Sequence, residues 1–320
     1  MKEFKVIDRF FVNCGQPRRD VELSIGDDCA LVNPAAHKSI AISCDTLVEN
    51  IHFFPDMPAR ALGYKSLAVN LSDLASMGAE PAWMTLAITL PDIDEDWLSE
   101  FSSGLHQVAE YYGVALVGGD TTRGPKSITI TINGQVPEGK ALTRSGAKNG
   151  DWIYVTGHLG DSALGLDILR GTQHFEPALN EYFIERHYHP TPRVLAGQAL
   201  RELASSAIDI SDGLVGDIGH VLKRSKVGAV IEVDTIPLST QMREAVPIEQ
   251  ALGYALTGGE DYELLFTVPE FQRGALEVAL SHAGVSFAKI GQISTGDKLR
   301  LIKDGEPYTP MNFGFEHFKS

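Results

Sequence analysis

The strongest constraint on the fold of this chain is an alternation of two sequence patterns. Short apolar runs rich in β-branched residues, such as Trp83–Thr89 and Val114–Val117, alternate with longer segments of helical periodicity. The helical segment Glu95–Tyr112 is followed by Gly113, and a glycine at this point is typical of a helix C-terminus. This alternation of predicted strands and helices indicates a mixed α/β architecture.

The length predicts two domains, because the chain has 320 residues and a typical domain has about 100–200. The segment from Pro137 to Gly150 is rich in glycine and polar residues, and it is the predicted boundary. We therefore place an N-terminal domain at residues 1–140, a C-terminal domain at 148–305 and a tail at 306–320. The tail is rich in aromatic residues, which predicts that it packs back onto the body of the protein.

Composition excludes several classes of function. The formal net charge is −15, so a broad basic face for nucleic acid is not expected. No apolar run approaches the ~18–20 residues of a membrane helix, and the first residues lack the apolar core of a signal peptide. Only three cysteines occur, and they form no metal-binding CxxC pair. We expect a cytoplasmic protein that does not bind membranes.

Aspartates at particular positions predict a cation site. Six of them lie at predicted strand ends, at glycine-rich turns or within an apolar helix: Asp28, Asp45, Asp73, Asp120, Asp209 and Asp212. Asp45 follows the predicted strand Ala41–Cys44, and Asp120 follows Val114–Val117 and two glycines. Carboxylates gathered at one edge of a sheet repel one another unless cations intervene. Since no His/Cys set for zinc is present, Mg²⁺ is the predicted cation.

The alternative role for each aspartate is that of a turn or capping residue. For any one of them the two interpretations are about equally supported. The alternative is weaker for Asp73, because an aspartate inside a helix gains nothing from capping. It is also weaker for the adjacent pair Asp27 and Asp28.

Several other polar or glycine-rich segments are candidates for ligand binding. Gly118–Gly119 permits close approach of a ligand to the backbone, and Gly157–Gly160 precedes a predicted helix. Arg144 has the chemistry to bind phosphate, although its position alone favours a solvated surface arginine. His52 and the acidic turn 258–263 remain open between a binding role and a structural one. No P-loop or GxGxxG motif at a strand–helix junction accompanies them.

Seven motifs occur in an order that resembles the thiamine-monophosphate kinase family, of the superfamily that includes aminoimidazole ribonucleotide synthetase. The resemblance covers nearly the whole chain. The motifs are IGDDCA at 25–30, SCDTL at 43–47, NLSDLASMGA at 70–79, GGDTT at 118–122, LTRSG at 142–146, DISDGL at 209–214 and GGEDYEL at 258–264.

The resemblance implies an α/β (α+β) fold of two domains. The N-terminal domain would bind ATP and Mg²⁺ and would pair its sheet with that of a second copy in a homodimer. The implied activity is phosphorylation of thiamine monophosphate to thiamine diphosphate, with ATP as co-substrate and several Mg²⁺ ions. The implied transfer is direct and in line, without a phosphoenzyme, and no residue is expected to act as a covalent nucleophile.

The resemblance also implies three groups of site residues. Mg²⁺ would be held by Asp28, Ser43, Cys44, Asp45, Asp73, Asp120, Asp209 and Asp212. ATP would contact Tyr112, Gly119, Asp120, Arg144 and Ser211. Thiamine monophosphate would contact His52, Glu260 and Phe315.

Cys44 departs from the family pattern, which commonly has threonine at this position. A neutral thiol is a poor Mg²⁺ ligand, so the backbone carbonyl is the expected contact.

Two other functions compete with this prediction. The first is another enzyme of the same superfamily, such as a purine-biosynthetic synthetase, selenophosphate synthetase or hydrogenase maturation factor. The His52 segment and the acidic turn 258–263 favour thiamine monophosphate over these. The second is a non-catalytic, acidic, cation-binding dimer, which the seven ordered motifs disfavour.

Overall fold

The computed structural model describes residues 3–310, and this part of the chain forms two compact units. The N-terminal unit extends to Leu74 and resumes over Ala79–Gly139. The C-terminal unit contains the short segment Ala75–Gly78 and continues from Lys140. Within the C-terminal unit, the short segment is bound through its backbone, since Leu142 N donates to Met77 O at 3.1 Å.

The N-terminal unit contains a four-stranded sheet, a two-stranded ribbon and three helices. Its elements are α1 (Glu3–Phe10), β1 (Val21–Leu23), β2 (Leu31–Val32), β3 (Lys38–Val48), α2 (Ala59–Ser76), β4 (Glu80–Leu90), α3 (Glu95–Tyr112), β5 (Ala115–Arg123) and β6 (Ser127–Pro137). The strand order of the sheet is β3-β6-β4-β5, and only β4 and β5 run parallel. Strands β3 and β5 are therefore the two edges of this sheet.

Helices α2 and α3 pack closely because glycines face the neighbouring backbone at their crossing. A side chain at Gly63 would overlap the carbonyl oxygen of Phe101, and one at Gly104 would overlap that of Arg60. The core beneath them includes the buried residues Leu67 and Ile130. On the opposite face of the sheet, Ile42 is 66% exposed.

Helix α3 shows how local signals set the boundaries of an element. The side chain of Asp94 accepts hydrogen bonds from the N–H groups of Asp96 and Trp97, which satisfies donors of the first turn. Gly113 ends the helix in the left-handed conformation, with φ 67°. The predicted bounds Glu95–Tyr112 are those observed.

The C-terminal unit contains a seven-stranded sheet covered by helices. Its elements are β7 (Trp152–Thr156), α4 (Asp161–Leu169), α5 (Pro177–Tyr188), α6 (Val194–Leu200), β8 (Ser206–Asp209), α7 (Leu214–Ser225), β9 (Gly228–Glu232), α8 (Thr240–Ala245), α9 (Ile248–Thr257), β10 (Leu264–Val268), α10 (Arg273–His282), β11 (Phe287–Ser294), β12 (Leu299–Lys303) and β13 (Glu306–Pro307). The strand order is β13-β12-β9-β11-β7-β10-β8, and only β12 and β9 pair in parallel. The core of the unit lies on both sides of β7 and β10.

Two local predictions are wrong. Asp45 lies within β3 instead of following a strand, because β3 continues to Val48 in register with β6. Asp120 likewise lies within β5, which continues past a bulge near Val117 and through both glycines. Both sheets are mainly antiparallel, so these aspartates do not sit at the common carboxyl end of a parallel sheet.

The described end of the chain reaches only part of the predicted tail. Tyr308 is held by its hydroxyl, which donates to Glu249 at 3.1 Å. Phe315 lies outside the described residues. Within residues 3–310, no helix is both long enough and apolar enough to cross a membrane.

Candidate active site

A polar cluster in the N-terminal unit joins strand β3 to helix α2. Ser43 and Asp45 alternate with Cys44 along β3, so both face α2. The hydroxyl of Ser43 donates to the carboxylate of Asp73, and the backbone N–H of Asp45 donates to Asn70 Oδ1 at 3.2 Å. Asn70 in turn donates to Ser66 O, which fixes the amide. Three of the predicted metal residues, Ser43, Asp45 and Asp73, therefore lie together. Asn70, which also contacts this cluster, was not among the predicted site residues.

The electrostatics of this cluster fit a cation. Burial, together with the nearby charge of Asp73, raises the pKa of Asp45 from 3.8 to about 6. Two carboxylates and a hydroxyl supply the hard oxygen atoms that Mg²⁺ prefers. In the described part of the chain, no three or more His, Cys, Asp or Glu side chains form a metal-binding group by themselves.

Asp45 and Asp120 are far apart within one chain. Asp45 on β3 pairs with Ile130 on β6, Ile130 pairs with Leu86 on β4, and Leu86 pairs with Gly119 on β5. This row crosses three strand spacings, which is about 14 Å. Ligands of one Mg²⁺ ion lie about 2.1 Å from it, so an ion shared by these two carboxylates within one chain would have to span the width of the sheet.

The remaining predicted residues of this unit are placed as follows. Asp28 is exposed in a turn where its N–H donates to Asp27 Oδ1 at 2.8 Å. Cys44 is exposed on the open face of the sheet, and its Sγ accepts from Thr131 Oγ1 at 3.4 Å. Tyr112 is the last residue of α3 and is half-buried. Gly119 has no room for a side chain, because a Cβ would overlap the carbonyl oxygen of Leu86.

The orientation of His52 is fixed by a tight turn after β3. The N–H of Val48 donates to His52 Nδ1 at 3.1 Å. Because Nδ1 accepts this bond, the proton of the neutral ring lies on Nε2. Asn50 makes the turn possible with φ 64°. His52 is therefore prepared to donate through Nε2, which suits a phosphate oxygen.

In the C-terminal unit, the side chain of the buried residue Asp217 holds the loop after β8. Asp209 is the last residue of that strand and is buried. The N–H groups of Ser211 and Asp212 both donate to Asp217 Oδ2, at 3.1 and 3.0 Å. Burial and the charge of Asp212 raise the pKa of Asp217 to about 7, while the charge of Arg144 lowers it. Asp217 was not among the predicted site residues. Its position in the first turn of α7, directly after the loop that it holds, could have indicated this role.

Arg144 precedes a segment that is held against helix α7. The N–H groups of Gly146 and Ala147 donate to Ser225 Oγ at 3.1 and 3.2 Å, and the Ser225 hydroxyl reaches the carbonyl of Arg144. Arg144 is exposed. Its guanidinium is therefore accessible, and its backbone is fixed.

The acidic turn 258–263 lies directly against the loop 209–213. The N–H of Glu260 donates to Ser211 O at 2.8 Å, and that of Tyr262 donates to Ile210 O at 2.9 Å. Glu260 and Tyr262 have φ values of 67° and 52°, which are uncommon for residues other than glycine. The backbone thus accepts strain that brings Glu260, a predicted substrate contact, next to Ser211, a predicted ATP contact.

A buried charged network supports this turn, and the sequence analysis missed it. Glu263 is 1% exposed and accepts two hydrogen bonds from the guanidinium of Arg193 and one from Thr156 Oγ1. Asp261 accepts from Gly160 N at 2.7 Å, and burial raises its pKa well above the usual value. Asp161 accepts from Tyr182 and Ser239 hydroxyls. The signal was the run of acidic residues ahead of the apolar strand β10.

The two units and their acidic clusters match a known class of protein. Residues 26–136 match the model of the AIR synthase related protein N-terminal domain, and residues 148–304 match that of the AIR synthase related protein C-terminal domain. The chain therefore belongs to the class of the AIR synthase related proteins.

Individual relatives narrow the class. The chain is 57% identical over 318 residues to the thiamine-monophosphate kinase of Escherichia coli (strain K12), which covers 99% of this chain and 98% of the relative. The crystal structure of thiamine-monophosphate kinase from Stenotrophomonas maltophilia K279a has a TM-score of 0.85 at 43% identity, covering 91% and 93% of the two chains. The structure "AaThiL complexed with AMPPCP and TMP" has a TM-score of 0.78 at 31% identity, covering 89% of each chain.

The chain therefore belongs to the thiamine-monophosphate kinase family. This result confirms the predicted family and the predicted two-domain α/β fold class.

Proposed function

We propose that this protein phosphorylates thiamine monophosphate to thiamine diphosphate with ATP. The supporting observation is the pair of backbone hydrogen bonds that joins the acidic turn 258–263 to the loop 209–213. A kinase of this type needs the acceptor and the nucleotide held in contact. Glu260, the predicted contact for thiamine monophosphate, is adjacent to Ser211, the predicted contact for ATP.

The proposed roles follow the chemistry of the side chains. ATP would contact Tyr112, Gly119, Asp120, Arg144 and Ser211, with Arg144 able to fork onto phosphate oxygens. Thiamine monophosphate would contact His52, Glu260 and Phe315. A carboxylate and an aromatic ring suit its cationic thiazolium, and Nε2–H of His52 suits its phosphate.

The proposed metal ligands are Asp28, Ser43, Cys44, Asp45, Asp73, Asp120, Asp209 and Asp212. Mg²⁺ ions bound there would neutralise phosphate charge and align the reacting oxygens. The negatively charged carboxylates of Asp45 and Asp73 would hold these ions. No side chain need act as a strong base, because the acceptor phosphate oxygen is already largely ionised near neutral pH. Direct in-line transfer is therefore the proposed mechanism.

We also propose a homodimer that completes the site. The edges β3 and β5 each carry predicted site residues, and one chain holds them about 14 Å apart. If β5 of a second copy pairs with β3, Asp120 of the partner subunit comes within one strand spacing of Asp45 and Cys44. The exposed apolar side chains of Ile40 and Ile42 on β3 suit burial by such a partner. We place the protein in the cytoplasm, consistent with its three free thiols.

A coupled assay of ADP release tests the activity. ADP should appear when ATP, Mg²⁺ and thiamine monophosphate are all present. ADP release that ignores thiamine monophosphate would indicate another enzyme of the superfamily. No ADP release under any condition would indicate the non-catalytic cation-binding dimer.

A further inference from the structure

The side chain of Glu260 is contacted by a buried histidine of helix α5. His187 is 4% exposed, and its Nδ1 lies 3.3 Å from Glu260 Oε2 and 3.1 Å from Ser162 Oγ. None of the sequence motifs includes His187. A buried imidazole facing a partly exposed carboxylate at a proposed binding site calls for a functional explanation.

The position of His187 is set by close packing of α5 on α4. A side chain at Gly165 of α4 would overlap the carbonyl oxygen of Phe183 and would press on the Cβ of His187. Two further side chains of α5 reach the same acidic region. The hydroxyl of Tyr182 donates to Asp161 at 2.9 Å, and the guanidinium of Arg186 lies 3.6 Å from Glu263. Helix α5 therefore holds a fixed distance from the acidic turn.

The direction of the interaction follows from the chemistry of the two groups. An ionised carboxylate can only accept hydrogen bonds, so a favourable contact requires the proton of the neutral imidazole to lie on Nδ1. The contact restricts a side chain with several rotatable bonds, whose ordering otherwise costs binding free energy.

We infer that His187 is a positioning residue that fixes the carboxylate of Glu260 and thereby favours a cationic phosphate ester as the acceptor. This inference rests on the proposed function, because it takes Glu260 as the contact for the thiazolium. The expected effect is selective, because a change at His187 should weaken binding of the acceptor and not of the nucleotide.

Steady-state kinetics on the full-length protein tests the inference with His187→Leu, which keeps the bulk but removes the donor. The KM for thiamine monophosphate should rise about tenfold, as expected for loss of a hydrogen bond to a charged group. The KM for ATP should change less than about twofold. His187→Asn places an amide N–H at the position of Nδ1 and should recover most of the affinity for thiamine monophosphate.

Two comparisons separate positioning from a general structural role. In a Glu260→Gln background, His187→Leu should have little further effect on the KM for thiamine monophosphate, because the partner charge is already gone. His189→Leu is the matched control, since His189 follows the same helix and its Nδ1 lies 3.0 Å from the exposed carboxylate of Glu185 instead of Glu260. It should leave both KM values unchanged. If His187→Leu does not fold, His187→Gln, whose amide lies at the position of Nε2 and not of Nδ1, takes its place.

The outcomes are distinguishable. Equal effects on both substrates, no effect on either, or a full effect in the Glu260→Gln background would overturn the role of His187. Failure of the unmodified protein to phosphorylate thiamine monophosphate would overturn the proposed function itself.

Discussion

The buried carboxylates of the C-terminal unit lie beside arginines, hydroxyls and backbone N–H groups, whereas Asp45 and Asp73 of the N-terminal unit lie beside each other. Glu263 is matched by Arg193 and Thr156. Asp45 has a second carboxylate, that of Asp73, as its neighbour, and burial together with this charge raises the pKa of Asp45 to about 6. The acidic turn is therefore held by contacts within the folded chain, whereas the site formed by Asp45 of β3 and Asp73 of α2, here called the strand site, brings two carboxylates close together.

The largest expected effect is on stability, when Glu263 loses its charge. Glu263 is buried and Arg193 is partly buried, and Glu263→Gln leaves the guanidinium of Arg193 without its carboxylate, which costs about 3–5 kcal/mol for such a pair. Urea unfolding of the metal-free protein measures this loss. Glu270→Gln is the matched control, because Glu270 pairs with Arg273 at the surface, and it should change stability little. Equal losses of unfolding free energy in the two variants would mean that burial of Glu263 does not raise the cost of breaking its ion pair.

The second prediction concerns the strand site, where the effect falls on turnover instead. Asp45→Asn and Asp120→Asn keep the size of the side chain but remove its charge. Turnover should fall by roughly 10²-fold or more in each, because neutralisation of phosphate charge by Mg²⁺ is a main contribution. Folding should survive, since relief of carboxylate repulsion does not destabilise the metal-free protein. Near-normal activity in both variants would remove these residues from the metal site.

The third prediction concerns pH. Burial raises the pKa of Asp261 above its usual value, so folding favours the protonated form. The stability from this group is present in full below the unfolded pKa near 4, and it is lost as the pH rises towards the folded pKa. Asp261→Asn imitates the protonated form. In urea unfolding from pH 4 upwards, the unmodified protein should lose stability relative to this variant. A constant difference between the two curves would contradict the raised pKa.

The smallest expected effect is at Cys44. If only its backbone carbonyl contacts metal, Cys44→Ser and Cys44→Thr should change the Mg²⁺ concentration for half-maximal rate by less than about twofold. A larger shift in a Mg²⁺ titration of the rate would assign the contact to the side chain.

The elements that were predicted correctly carry local signals. Helix α3 has Asp94 at its start and Gly113 at its end, and β7 and β10 are short apolar runs. Helix α5 was missed because most of its side chains are polar or partly exposed, and only Phe183 and His187 are buried.

The arrangement of the site could be predicted only in part. Ser43, Asp45 and Asp73 lie close together because one strand, β3, packs beside one helix, α2. The separation of Asp45 from Asp120 depends on strand order, which places β6 between β3 and β4 although it is the last strand of the N-terminal unit along the sequence. Spacing along the sequence does not contain that order. The contact between His187 and Glu260 depends in the same way on the packing of α5 against α4.

Subunit complementation tests most directly the proposed sharing of the strand site between two copies of the chain. Asp45→Asn and Asp120→Asn chains with different affinity tags are co-expressed, and the mixed dimers are purified through both tags. One of the two sites in such a dimer is then free of substitutions, so about half of the unmodified activity should return. As a control, Asp45→Asn with Asp73→Asn should restore nothing, because both residues lie in one cluster of one chain. Failure of the first pair to recover activity would contradict the shared site.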